Sequence, residues 1–245
     1  MKHAVRIAAF FTAAILSAFP VSAFTLEPIT ALLAPAGARS VATFRVKNDG
    51  SARIAVRMSA TTRAVDDQGV ESNQSAAELF TIYPSRLIVE PGATASVKIQ
   101  WKGDASLSAE RCFRFVAEQV PVSDAGDAQV TGIKMMFKYV ASLYVGDEKF
   151  KPNLAVRVVG ALSPEGHAGY EVSIANKGQR HFILQSASVD FAAPDGQIRT
   201  LTAADLGPLI GANYLPSSSR RFFVRDEKAL PGTAYDARLA SEGGY

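Results

Sequence analysis

The chain has 245 residues, too many for one ordinary immunoglobulin-sized sandwich and about right for two. Hydrophobic residues make up 48% of it and charged residues 20%, which is enough apolar material for folded cores and excludes wholesale disorder. The formal net charge is only +3, far from the strongly basic balance of nucleic-acid-binding domains. We therefore expect a folded protein that does not bind nucleic acid.

The N-terminal segment 1–23 has the three parts of a secretory signal peptide. Basic residues at the start are followed by an almost wholly apolar run at 7–19 and by small residues at 21–23. The run is short for a membrane span, so a membrane anchor is the less favoured alternative. We expect cleavage after Ala23 and export of a chain that begins with Phe24.

The exported chain contains one cysteine, Cys112, and two histidines, His167 and His181. A single cysteine cannot form an intramolecular disulfide, and its strand-like surroundings favour a buried small side chain over a nucleophile. Cysteine–histidine metal clusters and an HExxH zinc site are excluded, and we expect no metal and no other cofactor. Because His181 follows a turn, we expect it to be exposed.

Turn signals such as the Asn-Asp-Gly of 48–50 punctuate the chain about every 8–12 residues, and apolar and polar residues alternate between them. This pattern predicts an all-β fold of two immunoglobulin-like β-sandwich domains. The strands predicted for the first domain lie at 26–33, 40–48, 53–62, 79–82, 86–89, 95–102, 111–120 and 130–145. Those predicted for the second lie at 155–162, 170–175, 182–190, 197–201, 213–215, 220–224 and 234–239.

A charged, proline-terminated segment at 147–152 is typical of a linker between domains. It places the N-terminal domain at 24–146 and the C-terminal domain at 153–245. The second domain is shorter than the first, and the two share no convincing sequence repeat.

The longest strand-like run, 130–145, has one register that is nearly all apolar. This register includes Ile133, Met135, Phe137 and Tyr139 and is longer than one small sandwich normally needs. The residues alone leave two interpretations open. The run is either a long core strand, or an edge strand that offers its backbone and alternate side chains to another protein by β-augmentation.

Five segments, in chain order, carry a resemblance to a known family: 44–50 (FRVKNDG), 79–99 (LFTIYPSRLIVEPGATASVKI), 111–121 (RCFRFVAEQVP), 174–182 (IANKGQRHF) and 214–222 (YLPSSSRRF). In order, they correspond to an asparagine turn, a Pro-Gly turn with its flanking strands, a strand ending near proline, and two segments of a smaller second domain. Together they resemble the periplasmic chaperones of the chaperone–usher pathway, the PapD-like two-domain proteins. The likeness spans almost the whole exported chain.

The resemblance implies a non-enzymatic periplasmic chaperone that binds and stabilises pilus or fimbrial subunits and delivers them to an outer-membrane usher. It also implies donor-strand complementation, in which 130–145 fills the groove of a subunit that lacks its last strand. Ile133, Met135, Phe137 and Tyr139 are then the groove-filling side chains. No small-molecule substrate is expected, and the free protein is expected to be able to hide its apolar strand by self-association.

The sequence departs from the family at the anchor for the subunit's C-terminal carboxylate. Many members use an arginine on the first strand and a lysine on the last, whereas this chain has Thr30 and Ser142 near those positions. Lys138, on the same strand face as Ser142, is our candidate anchor, with a solvated surface lysine as the alternative. The departure predicts a divergent branch of the family.

Other functions stay open beside the chaperone. An exported two-domain binding module for cell-surface carbohydrate or protein is the main alternative, with Trp101 either a sugar platform or a core or rim aromatic. A pilus subunit is a further alternative, although subunits are usually single incomplete domains. The sequence has no Gly-x-Ser-x-Gly elbow, Walker A loop or Gly-x-Gly-x-x-Gly motif, so we expect no enzyme.

Overall fold

The computed structural model describes residues 24–122, 135–162 and 165–244. Regular structure over these residues consists of strands and three short 3-10 helices, at Ala38–Ser40, Ala77–Leu79 and Gly207–Leu209. The predicted all-β class is confirmed. The predicted signal peptide, 1–23, lies outside the described residues, and within them no helix is long and apolar enough to cross a membrane.

The first half of the chain forms two facing sheets. Its strands are β1 (Phe24–Glu27), β2 (Thr30–Leu33), β3 (Val41–Asn48), β4 (Ile54–Thr62), β5 (Ala64–Val65), β6 (Glu71–Ser72), β7 (Phe80–Tyr83), β8 (Arg86–Val89), β9 (Thr94–Trp101), β10 (Arg111–Val120) and β11 (Lys138–Val145). One sheet has the order β1-β3-β9-β7 and the other the order β2-β11-β10-β4-β8. β5 and β6 form a separate small hairpin.

The second half forms a smaller sandwich. Its strands are β12 (Leu154–Leu162), β13 (Ala168–Asn176), β14 (Phe182–Ala192), β15 (Ile198–Leu201), β16 (Asn213–Tyr214), β17 (Ser219–Arg225) and β18 (Asp236–Gly244). One sheet has the order β12-β13-β17, and in the other β14 pairs with β15, β16 and β18. Each half has its own buried apolar cluster, so the protein consists of two immunoglobulin-like sandwiches. The chain passes between them after β11, and the linker bounds of 147–152 stay a prediction.

The first predicted strand, 26–33, is in fact two strands in different sheets. β1 pairs with β3, and β2 pairs in parallel with β11. Pro28 lies between them, and because proline lacks a backbone N–H it interrupts the ladder at the point where the chain changes sheet. The change of sheet brings β2 beside the C-terminal half of β11.

The last predicted strand of the first domain is also shorter than expected. β11 begins at Lys138, and residues 135–137 precede it outside regular structure. The predicted start of the strand, 130–134, lies outside the described residues.

Alternating side chains from facing strands fill the first core. Phe44 of β3 and Phe115 of β10 pack with their ring centroids 4.3 Å apart, and Leu143 of β11 is completely buried. Burial of a side chain of this size contributes about 1.5–3 kcal/mol. The C-terminal half of β11 is therefore part of the protein's own core.

Trp101 closes β9 and also belongs to this core. Only 4% of the residue is exposed, and its indole N–H donates to the Asp104 carbonyl at 3.0 Å. Its ring packs against Phe80 and Phe113. Trp101 is thus a core aromatic and offers no open face to a sugar.

Candidate functional site

β11 is flanked differently along its two halves. β10 pairs with it along its whole length, from Lys138 to Val145. β2 pairs with it only over 142–145. Among the described residues, the segment Lys138–Ala141 therefore has a strand on one side and an open edge on the other.

The backbone of this segment alternates between the two sides. The Gln119 N–H of β10 donates to the Phe137 carbonyl at 2.9 Å, so Phe137, Tyr139 and Ala141 direct their backbone groups toward β10. The intervening residues point the other way, as Ser142 shows by donating its N–H to the Ile29 carbonyl at 2.9 Å. Lys138 and Val140 therefore present their N–H and C=O groups to the open edge.

The predicted groove-filling residues occupy different environments. Met135 is exposed over 54% of its surface, whereas Phe137 and Tyr139 are half-buried and pack against the first core. The Tyr139 ring meets Phe24 of β1 edge-on at 4.7 Å. Ile133 lies outside the described residues. The structure thus places Phe137 and Tyr139 along the margin of the core beside the open edge and leaves Met135 free of it.

Lys138, the predicted carboxylate anchor, is exposed at the start of β11 and lies opposite Glu118 of β10. The Arg57 guanidinium donates a hydrogen bond to Glu118 at 2.6 Å. This bond, with a smaller contribution from the Lys138 charge, holds the pKa of Glu118 below its ordinary value. Lys138 therefore has an ionised carboxylate near it on the same sheet face.

Thr30 and Ser142, the two positions at which the family resemblance places an anchor, are Cα partners across β2 and β11. Arg114 of β10 lies on the other side of Ser142 and donates Nη1–H to its hydroxyl at 2.8 Å. Arg114 also pairs with Glu71 of the small hairpin, and so does Arg63. Sequence reasoning missed this cluster because Arg114 is 43 residues from Glu71 and 28 residues from Ser142 in the chain. The one sequence signal was the alternation along β10, which puts Arg114 on the same face of the sheet as Ser142.

The C-terminal end of β11 packs against the second domain. The Tyr144 ring stacks on His181 with centroids 3.7 Å apart, and its hydroxyl accepts a hydrogen bond from Asn213 Nδ2 at 2.8 Å. Glu110 Oε1 accepts a hydrogen bond from the backbone N–H of His181 at 3.1 Å. The same oxygen lies 2.6 Å from Nδ1 of the His181 ring. The prediction that His181 is exposed is therefore wrong, because its turn lies in the joint between the two sandwiches.

Cys112 also lies near this joint, in an open pocket lined by Arg63, Glu110 and the 215–219 turn. Burial raises the pKa of the Cys112 thiol strongly, and the nearby Glu110 carboxylate adds to the effect. A thiol that stays protonated is a poor nucleophile. The structure thus agrees with the interpretation of Cys112 as a largely buried, inert side chain.

The first domain carries the family assignment. The profile of the PapD N-terminal domain family, the pili and flagellar-assembly chaperones, matches residues 27–145. The first domain is therefore a PapD-like chaperone domain. The matched region runs from the end of β1 to the end of β11 and so contains the open edge. No curated protein matches the chain in sequence.

Solved structures of pilus and fimbrial chaperones share the fold over both domains. The class 5 fimbriae chaperone CfaA is 13% identical with a TM-score of 0.56, covering 89% of this chain and 98% of its own. The chaperone–tip subunit complex CsuC–CsuE of Acinetobacter baumannii is 11% identical with a TM-score of 0.54. The match covers 86% of this chain and 93% of the solved chain. The complex of the SafA pilin with the SafB chaperone of Salmonella enterica is 14% identical with a TM-score of 0.53. The match covers 91% of this chain and 99% of the solved chain. At these identities the likeness shows a common fold.

Proposed function

We propose that this PapD-like protein captures pilus or fimbrial subunits in the periplasm by donor-strand complementation and passes them to an outer-membrane usher. The open edge of Lys138–Ala141 is the observation that carries the proposal. A subunit that lacks its last strand has an exposed groove and unpaired edges, and such a surface aggregates in water. A strand that is held by its own sheet on one side only can pair with that subunit on the other.

The side chains next to the edge suit this role. Met135 is exposed and unbranched, so it adapts to irregular pockets in different subunits. Phe137 and Tyr139 lie at the margin of the chaperone core, where a subunit can cover their remaining exposed surface. Each such side chain contributes about 1.5–3 kcal/mol when it is fully buried in the complex. Ile133 completes the predicted set.

The family of the first domain and the fold also support the proposal. Two of the solved structures with the same fold are complexes of a chaperone with a tip subunit or with a pilin. Phe24 is buried and begins β1, so cleavage after Ala23 leaves a chain whose first residue already belongs to the sheet. The open edge also provides the surface for self-association of the free protein.

The alternative, an exported binding module for cell-surface carbohydrate or protein, has less support. Its best sequence feature was Trp101, which is buried in the first core. No other feature of the described residues favours a carbohydrate site.

Co-expression with exported pilus or fimbrial subunits of the same organism tests the proposal. The wild-type chaperone is expected to give a stable one-to-one complex, measured by affinity capture and size-exclusion chromatography. Met135→Glu is expected to fold normally and to lose capture, because the substitution puts a charge into an apolar groove. Leu143→Glu is the matched control, and it is expected to unfold the first domain because Leu143 is fully buried.

Two results contradict the proposal. One is that the wild-type protein captures none of these exported subunits. The other is that Met135→Glu unfolds the first domain as Leu143→Glu does, which would place Met135 in the protein's own core.

A further inference from the structure

The strand β18 lies at an edge of the second sandwich. It has 9 residues, Asp236–Gly244, and pairs along one side with β14. Among the described residues no strand pairs with its other side, although β12 of the facing sheet lies beside it. A long edge strand of this kind is a template for pairing with another chain.

The backbone of β18 alternates between β14 and the open side. The Ala193 N–H donates to the Gln197 carbonyl at 2.9 Å, so every second residue of β14 before Ala193 directs its backbone groups toward β15. The residues between them, which include Asp190, face β18, and Asp190 is the Cα partner of Arg238. The backbone groups of Arg238 therefore point to β14, and those of its two neighbours point to the open side.

The outward face of β18 carries charges of both signs. Arg238 and Glu242 are exposed and four positions apart, so strand alternation puts both on the same face as the exposed Ala240. Within the described part of the chain, neither of the two charges has an ion-pair partner. The edge thus combines open backbone groups with one basic and one acidic side chain that lack partners of their own.

These charges are complementary to themselves in an antiparallel pair. When two β18 strands pair about a two-fold axis at Ala240, Arg238 of each strand lies opposite Glu242 of the other. Pairing about Leu239 instead places Asp236 opposite Glu242, and pairing about Arg238 brings the two arginines together. In the register centred on Ala240 the opposite charges occupy non-hydrogen-bonded positions, where side chains approach most closely and stabilise the pair.

We propose that β18 is a dimerisation strand, which joins two copies of this protein edge to edge with Arg238 of each copy opposite Glu242 of the other. The partner is a second copy because one strand supplies both charges at matching positions, as a two-fold interface requires. The pairing also covers an edge that is otherwise open to irregular association. It uses the second domain, so it leaves the edge of Lys138–Ala141 open and does not depend on the proposed capture of subunits.

Sedimentation velocity over a series of concentrations tests the dimer in the exported chain. The wild-type protein is expected to show a monomer–dimer equilibrium. Arg238→Glu and Glu242→Arg are each expected to weaken dimerisation by about tenfold or more, because both charge contacts of the dimer become repulsive. The double variant Arg238→Glu/Glu242→Arg exchanges the two charges and is expected to restore the wild-type dimer.

A mixture of the two single variants tests the register more sharply. The two positions are both acidic in Arg238→Glu and both basic in Glu242→Arg, so a mixed pair has two attractive contacts. We therefore expect a heterodimer from two proteins that are each mainly monomeric. A fluorescent label on one variant, followed at its own wavelength during sedimentation, measures the heterodimer.

Matched controls separate this edge from the other surfaces. Arg225→Glu makes the same charge change at an exposed position of β17 and is expected to dimerise as the wild type does. Val140→Pro blocks the open edge of β11 and is expected to keep the dimer. The charge variants are repeated with Val140→Pro to remove association through β11. Thermal unfolding followed by circular dichroism checks that each variant is folded.

Three results overturn the inference. A wild-type protein that stays monomeric at every concentration has no such dimer, and if Arg238→Glu then weakens subunit capture, the edge binds the subunit instead. A dimer that survives Arg238→Glu and is lost in Val140→Pro is formed by β11. A dimer that the double variant does not restore is formed in another register. The proposed capture of subunits is measured separately by co-expression, so it does not fail with the dimer.

Discussion

At the residue scale, one buried asparagine in each domain fixes a turn that the sequence had marked. Asn48 donates Nδ2–H to the carbonyls of Ala52 and Val89, and its Oδ1 accepts the Gly50 N–H. Asn176 does the same for the second domain with the carbonyls of Arg180 and Tyr214. Because each amide satisfies several backbone groups away from water, its loss leaves those groups without partners.

We predict that Asn176→Ala lowers the free energy of unfolding by about 2–3 kcal/mol, the cost of leaving buried carbonyls unsatisfied. Chemical denaturation followed by circular dichroism measures the change. Gln197→Ala, on an exposed turn of the same domain, is the control and is expected to stay within about 0.5 kcal/mol of the wild type. An equal effect of the two substitutions would show that the Asn176 amide has no special role.

At the scale of single elements, the local pattern predicted strands well and their partners poorly. The bounds of β10 and β8 match the predicted 111–120 and 86–89, because alternation of apolar and polar residues is visible within one strand. The β5–β6 hairpin was not predicted, because each of its strands has only two residues and so shows no alternation. The break at Pro28 was not predicted either, since it depends on which distant strands the chain meets on each side of it. The same reason hid the Glu71 cluster, whose members become neighbours only when the sheet forms.

The alternation of backbone direction in β11 gives a prediction for this strand. Val140→Pro removes an N–H that points to the open edge, and proline is tolerated on edge strands. We expect the variant to remain folded and to lose subunit capture, measured by affinity capture after co-expression. Ala141→Pro is the matched control, and it is expected to destabilise the first domain because the N–H of Ala141 points to β10. Capture by Val140→Pro at the wild-type level would show that the edge is not used.

At the scale of the whole molecule, the two sandwiches meet in a joint made of polar and aromatic side chains. Glu110 of the first domain is buried against His181 of the second, and Tyr144 stacks on the same histidine. The sequence could not predict this joint, because its residues look like ordinary strand and turn positions until both domains are placed. The joint continues from β11 and so connects the candidate binding strand with the second domain.

We predict that the wild-type protein unfolds in one calorimetric transition and that Glu110→Ala separates it into two. The substitution removes the carboxylate oxygen that accepts the buried backbone N–H of His181, at a cost of about 1–3 kcal/mol. Arg39→Ala is the control, because its ion pair with Glu148 is highly exposed and contributes little. A single unchanged transition in Glu110→Ala would show that this contact does not couple the domains.

The central claim is that the N-terminal half of β11 has one free edge which a partner strand fills. Residue-resolved amide hydrogen exchange by NMR, with and without a bound pilus subunit, tests it most directly. In the free protein, the Tyr139 and Ala141 amides, which face β10, are expected to be protected, and the Lys138 and Val140 amides to exchange rapidly. Binding is expected to protect Lys138 and Val140. Protection of these two amides already in the free protein, or their rapid exchange in the complex, would contradict the account.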